Sequence, residues 1–227
     1  MQDRDAEIVI VGGGSAGLSA ALTLGRSRRR TIVFDAGDPR NAPARAAHNL
    51  FTRDGTPPRE LLRIAREQLA PYGTVEIRPR RVVDARPIDG GGFELTDEHG
   101  ARLTTEYLVL ATGVIDELPD IPGLRSLWGT GVFHCPYCHG WEVRDESFVL
   151  IAHCERAFHL AQILRGWASA LTVCPTRASV LDRHQRDTLA RSGLEVTAEP
   201  VVELVPGPAG RAGDVVLAGG RRLGPAA

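Results

Sequence analysis

Ile8-Val-Ile-Val11, running straight into Gly12-Gly-Gly-Ser-Ala-Gly17, reads as a short buried strand that breaks into a glycine turn. Leu18, Ala21, Leu22 and Leu24 then give the small, apolar face of a helix, and Thr31-Ile-Val-Phe34 is a second strand ending at Asp35. Strand, turn, helix and strand make a βαβ half-unit. In such a unit Gly12 allows the tight turn, Gly14 lets backbone approach a pyrophosphate, and Gly17 permits close helix–strand contact. The helix N-terminus adds unpaired N–H groups and a positive dipole end. Asp35 stands 23 positions after Gly12, where a carboxylate accepts ribose hydroxyls. The pattern predicts a dinucleotide site. The alternative is a glycine-rich turn that holds no ligand.

The pattern returns 140 positions later. Phe148-Val-Leu-Ile151 is a strand, Glu155–Trp167 a helix and Ala170–Cys174 a strand, in register with the first unit, so the chain reads as an internal duplication. The second copy has lost its glycines. Ala152, His153 and Cys154 stand at the turn, Ala157 replaces the last glycine, and Pro175 occupies the position of Asp35. A Cβ at Cys154 blocks the close approach that glycine permits. Arg177 alone remains to meet a 2′-phosphate. The expectation is against NADPH at this loop.

Between the copies, Pro57-Pro58 opens a helix to about Ala70. Short strands are expected at Val75–Ile77, Arg81–Ala85, Gly92–Thr96 and Arg102–Thr104, with a separate strand at Tyr107–Leu110 before Ala111-Thr-Gly113. Residues 36–56 read as loop, and Asp116–Gly123 as an interdomain crossing. A helix at Asp182–Arg191 and a few short strands follow, and Gly219–Ala227 reads as a tail without a further strand.

His134-Cys-Pro-Tyr-Cys-His-Gly140 carries the chemistry. Cys135 and Cys138 are spaced for a tight disulfide loop, and Pro136 suits the first turn of a helix, which puts Cys135 near its N-cap. A helix N-terminus favours thiolate, and His139 exchanges protons near neutral pH. Three readings stand: a redox dithiol, a zinc site built from His134, Cys135, Cys138 and His139, or an inert pair. Four such crowded ligands close one tetrahedron poorly, so no metal is assigned. Cys154 and Cys174 are isolated and need no role beyond packing.

Composition narrows the classes. The chain has 227 residues, with 27 basic against 28 acidic side chains and a net charge of −1, which gives no electrostatic case for nucleic acid. Every basic residue is Arg, which reads as coding bias. No run approaches the ~18 apolar residues of a membrane span, and the first apolar run is not a signal peptide. Four cysteines are too sparse for a disulfide scaffold; with no export signal the paired ones read as catalytic or metal-binding, and the protein as cytoplasmic.

The order of glycine loop, Asp35-Ala-Gly-Asp-Pro-Arg-Asn41, His48-Asn-Leu-Phe-Thr-Arg-Asp-Gly55, Ala111-Thr-Gly113 and Cys135-Pro-Tyr-Cys-His-Gly140 resembles thioredoxin reductase-like flavoproteins of the pyridine nucleotide-disulfide oxidoreductase family. The Cys-Pro-Tyr-Cys-His form is most similar to the branch of gliotoxin- and holomycin-type dithiol oxidases. The resemblance implies FAD, held by Gly12, Gly13, Gly14, Ser15, Ala16, Gly17 and Asp35, with Asn49 in a flavin-side loop, Val83 by the adenine, and Ala111, Thr112 and Gly113 in the family's turn. It implies that Cys138 faces the flavin, that Cys135 exchanges with substrate, and that His139 stands where thioredoxin reductases carry an aspartate acid/base.

The resulting expectation is an α/β fold of two Rossmann-like three-layer domains, the FAD domain interrupted by a nucleotide-domain-like insert. Residues 1–118 would form the FAD-binding domain, and 119–227 a degenerate NAD(P)H-domain-like region carrying the cysteine motif. The family's last FAD segment, with its Gly-Asp, is expected to be missing. The function expected is an FAD-dependent thiol–disulfide oxidoreductase acting on a small-molecule or protein dithiol or disulfide, with no membrane and no nucleic-acid partner, and homodimeric as the family is. Its rivals are an NADPH-dependent disulfide reductase and a non-catalytic flavin-binding remnant.

Overall fold

The computed structural model describes residues 4–224, so the ends of both expected domains and the last three residues of the tail lie outside the described residues. Two compact units divide the chain. One holds the residues up to Ala42 together with Thr56–Asp116. The other holds Pro43–Gly55 and the residues from Glu117 onward. Residues 43–55, expected as part of the FAD domain, cluster with the second unit.

In the first unit β1 (Ala6–Val11), α1 (Ser15–Arg26) and β2 (Thr31–Phe34) form the expected half-unit. Next come α2 (Pro58–Leu69), β3 (Val75–Arg78), β4 (Val82–Pro87), β5 (Phe93–Asp97) and β6 (Arg102–Leu110). The sheet order is β3-β2-β1-β6-β5-β4. Alternation along the strands builds two cores. Ile8, Ile10 and Val33 face Leu18 and Ala21 of α1 and Leu69 of α2. Val9, Ile32 and Phe34 face Leu95 and Leu103 from the β-meander. A slip of one residue would exchange the two faces, so burial fixes the register.

The two strands expected at Arg102–Thr104 and Tyr107–Leu110 are one. β6 pairs antiparallel with β5 through Arg102–Thr105 and parallel with β1 through Thr105–Leu110. Thr105, between the two expected strands, is fully buried. Its hydroxyl finds the carbonyl oxygens of Glu7 and Tyr107 at 3.1 and 3.0 Å, which satisfies the polar group without ending the strand.

The second unit contains α3 (Leu124–Leu127), α4 (Pro136–His139), β7 (Ser147–Ala152), α5 (Arg156–Leu164), β8 (Ala170–Pro175), α6 (Arg183–Arg191) and β9 (Glu195–Val196). It ends with β10 (Val201–Pro206), β11 (Ala212–Leu217) and β12 (Arg222–Leu223). β12 pairs antiparallel with β11, where the tail was expected to hold no strand. Strands β7, β8 and β9 form a parallel sheet, and β10, β11 and β12 an antiparallel one. Phe148, Leu171 and Val173 face the helices, while Cys174, with Val149 and Ile151, faces Val201, Leu204, Val215 and Leu217. That is a helix–sheet–sheet sandwich, so the α/β, three-layer expectation holds. The duplication is visible in the register: Ile8 opposes Thr31 as Phe148 opposes Leu171, and Val11 opposes Phe34 as Ile151 opposes Cys174.

Candidate functional site

In the first unit the glycine loop leaves β1 at Gly12, whose φ is +111°, a conformation that L side chains rarely adopt. Its N–H donates to the Phe34 carbonyl at 2.8 Å. A Cβ at Gly12 would strike the Ala111 carbonyl, and one at Gly17 would strike the Gly12 carbonyl and press on Ile10. A Cβ at Gly13 would fall 2.5 Å from Cγ of Asp35. The loop, Asp35 and the Ala111-Thr112-Gly113 turn are thus packed together. A Cβ on Gly14 would meet nothing. Gly14 is also the N-cap of α1, with no side-chain cap and no acid in the first turn. Open space in front of uncapped N–H groups, with Ser15 and Ala16 in that first turn, fits a phosphate group.

The Asp35 carboxylate accepts the Gly37 N–H at 3.1 Å on one oxygen and pairs with Arg66 through the other. Lone pairs remain on both oxygens for ribose hydroxyls. Arg66, from α2, was not anticipated. Val83 lies exposed on β4 in the same unit. Asn49 belongs to the other unit, in a left-handed backbone conformation with φ +63°.

The glycine-poor loop of the second unit does not repeat this geometry. Ala152 stays inside β7 opposite Pro175, and its carbonyl accepts the Thr176 N–H at 2.9 Å. None of Ala152, His153 and Cys154 has a positive φ. The N-cap of α5 is the acidic residue Glu155, and a negative charge at a helix start offsets the positive field that an anion would use there. Arg177 lies with Thr176 and Arg186 in a pocket of about 270 Å³. The residues present do not fit an NADPH pyrophosphate.

Cys135 and Cys138 form a disulfide with Cα atoms 5.3 Å apart. Cys135 is the N-cap of α4, Pro136 opens the helix, and the Cys138 N–H donates to the Cys135 carbonyl at 3.2 Å. α4 is a single turn, so its dipole adds little to thiolate stabilisation. Both sulfurs are engaged with each other, which leaves neither as a zinc ligand. Trp167 braces the turn: its ring meets Tyr137 edge-on at 5.5 Å and lies 3.1 Å from where a Cβ on Gly140 would be. Nothing in the local sequence marked this tryptophan.

His139 stacks on Phe133, with ring centroids 4.6 Å apart. Both its ring nitrogens are buried and have no hydrogen-bond partner among the described residues. Burial, above all, pushes its pKa down, Glu142 acts to raise it, and His48 and His134 add to the lowering. His48 lies between two carboxylates, with Nδ1 3.5 Å from Asp54 and Nε2 3.4 Å from Glu142. The sequence motif around His48 assigns it no role, because its nearness to Glu142 spans too many residues to be read locally. Of the other cysteines, Cys154 is exposed and Cys174 buried, and burial pushes the Cys174 thiol up to about 12.

Comparison with known proteins places these features. A family profile described as pyridine nucleotide-disulphide oxidoreductase matches residues 6–217. A probable thioredoxin reductase of Arthroderma benhamiae is 40 % identical over 150 residues, covering 64 % of this chain and 37 % of the relative. The thioredoxin reductase aclD of Aspergillus oryzae is 37 % identical over 175 residues, covering 74 % of this chain and 55 % of the relative. The chain therefore spans about half the length of the curated relatives it matches, or less. Among solved structures, an oxidoreductase from Agrobacterium tumefaciens superposes with a TM-score of 0.89 at 40 % identity, over 96 % of this chain and 72 % of that one. No helix among the described residues is long and apolar enough to cross a membrane.

Proposed function

The chain belongs to the pyridine nucleotide-disulphide oxidoreductase family, and from that premise we propose that it is an FAD-dependent thiol–disulfide oxidoreductase that oxidises a substrate dithiol. The observation that carries this reading is the Cys135–Cys138 disulfide at the N-cap of α4, next to a histidine. Gly12–Gly17 and Asp35 would hold the FAD, which when bound supplies a two-electron acceptor for the cysteine pair and passes those electrons to an external oxidant.

The exchange balances on the chain's own sulfurs. A substrate thiol loses its proton and its sulfur bonds to Sγ of Cys135. The Cys135–Cys138 bond breaks, and Cys138 leaves as thiolate. The second substrate sulfur then attacks the first, the substrate disulfide departs, and Cys135 becomes a thiolate. Two electrons reach the cysteine pair and two protons leave the substrate. His139 is the adjoining group that would take up such a proton.

The second unit supports this direction. Its loop lacks the cradle for an NADPH pyrophosphate, which favours electrons entering as dithiol over electrons entering as hydride. The test is anaerobic mixing of the flavin-loaded protein with a small dithiol. Reduction of the cysteine pair and release of an oxidised, cyclic disulfide is the expected result. A pair that stays oxidised under excess dithiol would overturn the proposal.

A further inference from the structure

The Cys135–Cys138 bond closes a very short turn, and the backbone alone supports that turn weakly. α4 runs only from Pro136 to His139. The Cys138 N–H donates to the Cys135 carbonyl at 3.2 Å, and the Gly140 N–H to the Pro136 carbonyl at 2.6 Å. A single helical turn does not hold itself in water, because nucleation fixes several dihedral angles for each hydrogen bond gained. When a dithiol opens the disulfide, the crosslink across the turn is lost. Another contact must then keep the two sulfurs near each other if the pair is to close again.

Trp167 is placed to make that contact. It follows α5, and its anchorage does not involve the cysteines. Its N–H donates to the Leu164 carbonyl at 3.0 Å, and its carbonyl accepts the Asp145 N–H at 2.7 Å. Its side chain packs against the helix-side core that holds Phe148 and Leu171. From there the indole meets Tyr137, which lies inside the cysteine turn, edge-on with ring centroids 5.5 Å apart. It also covers Gly140, the buried C-cap of α4. A Cβ on Gly140 would fall 3.1 Å from the indole and 2.5 Å from the Pro136 carbonyl oxygen, so ring and turn are in close contact with no side chain between them.

We propose that Trp167 is a positioning residue for the redox pair: its contacts with Tyr137 and Gly140 hold the α4 turn in shape after the Cys135–Cys138 bond opens, and so favour closure of the disulfide. The coupling is reciprocal. The disulfide pre-forms the surface that the indole covers, and the indole pre-forms the turn that the disulfide closes. Removing the indole leaves the oxidised turn crosslinked but frees the reduced turn, which shifts the pair toward dithiol. The inference rests on the reading of Cys135–Cys138 as a pair that cycles between these two states.

The experiment equilibrates the full-length, flavin-loaded protein anaerobically with mixtures of dithiothreitol and its cyclic disulfide. One protein disulfide and one dithiothreitol give two protein thiols and one cyclic disulfide, so the exchange balances without another oxidant. Acid quench and alkylation count the thiols at Cys135 and Cys138 and give the equilibrium constant. Trp167→Ala should move that constant toward dithiol about three- to tenfold, the scale of one aromatic contact. Trp167→Phe keeps a ring and should stay near wild type. Tyr137→Ser removes the other half of the contact at a side chain that is 61 % exposed, where folding is not at stake, and should shift the constant the same way. Added to Trp167→Ala it should change little more, because the contact is already gone. An unchanged constant in Tyr137→Ser, or a shift of either variant toward disulfide, would overturn the proposal, whether or not Trp167→Ala folds. Equal shifts in Trp167→Phe and Trp167→Ala would overturn it too, because ring packing would then not be the cause. A wild-type pair that no dithiothreitol mixture reduces would sink the redox reading itself, and the inference with it.

Discussion

Gly13 and Asp35 lie so close that a Cβ on the glycine would sit 2.5 Å from the carboxylate carbon. The loop that would face a pyrophosphate and the acid that would hold a ribose are therefore one packed object. A side chain at Gly13 would displace Asp35 from its Gly37 and Arg66 partners.

Different glycines of this loop should fail in different ways. Gly14→Val should retain the fold, because a Cβ there meets nothing and the backbone at φ −78°, ψ −172° accepts any residue. It should lose the flavin. Gly17→Val should lose the fold, because its Cβ strikes the Gly12 carbonyl; overpacking of this kind costs about 1–3 kcal/mol or more. Thermal melts and visible spectra of both variants separate the effects. A Gly14→Val protein that stays yellow and fully loaded would refute the assignment.

Thiol counting checks the cysteine pair. Of the four cysteines, only Cys154 should react promptly in the native oxidised protein, since Cys174 is buried and its thiol is held protonated. Denaturation should expose Cys174, and reduction should add two more thiols. Cys135→Ser or Cys138→Ser should abolish that reducible increment. A metal assay finding one tightly held zinc per chain, with no reducible pair, would contradict the disulfide.

NADPH should not reduce the flavin quickly. Ala152, His153 and Cys154 form no left-handed turn, and Glu155 brings a negative charge to the helix start. Anaerobic mixing with micromolar NADPH should leave the oxidised spectrum intact over seconds, whereas dithiol should bleach it. Stoichiometric bleaching by NADPH would show that the loop still takes the nucleotide.

His139 should make stability depend on pH. Burial holds its pKa below the ordinary 6.5. As pH falls through that value the unfolded chain takes up a proton and the folded chain does not, so unfolding becomes easier. The contribution is fully recovered above the unfolded value. His139→Phe keeps a ring against Phe133 and should remove the slope, as denaturant titrations between about pH 5 and 8 would register. An unchanged slope would mean that other groups set it.

The parts of this protein legible in sequence are those set by short-range pattern. Ile8–Asp35 carries strand, glycine turn, helix and acid within one span, and the same spacing predicted β7 and β8 to the register. Pro136 placed Cys135 at a helix start. What escaped depends on contacts between distant residues. The continuity of β6 through Thr105 depends in part on a hydroxyl partner on β1. β12 is two residues long and exists through its pairing with β11. The His48–Glu142 pair and the bracing by Trp167 join segments with no shared periodicity.

β6 also has a consequence for how the protein is made. β1 is flanked by β2 on one side and β6 on the other, and its β6 partners lie about a hundred residues further along the chain. At roughly 5–20 residues per second on the ribosome, Ile8–Val11 would wait on the order of 5–20 s with one hydrogen-bonding edge unfilled. An apolar strand left open for that long invites pairing with other nascent chains. Synthesis of this protein should therefore benefit from chaperones that shelter the nascent chain until β6 is made more than from any that act on the finished chain.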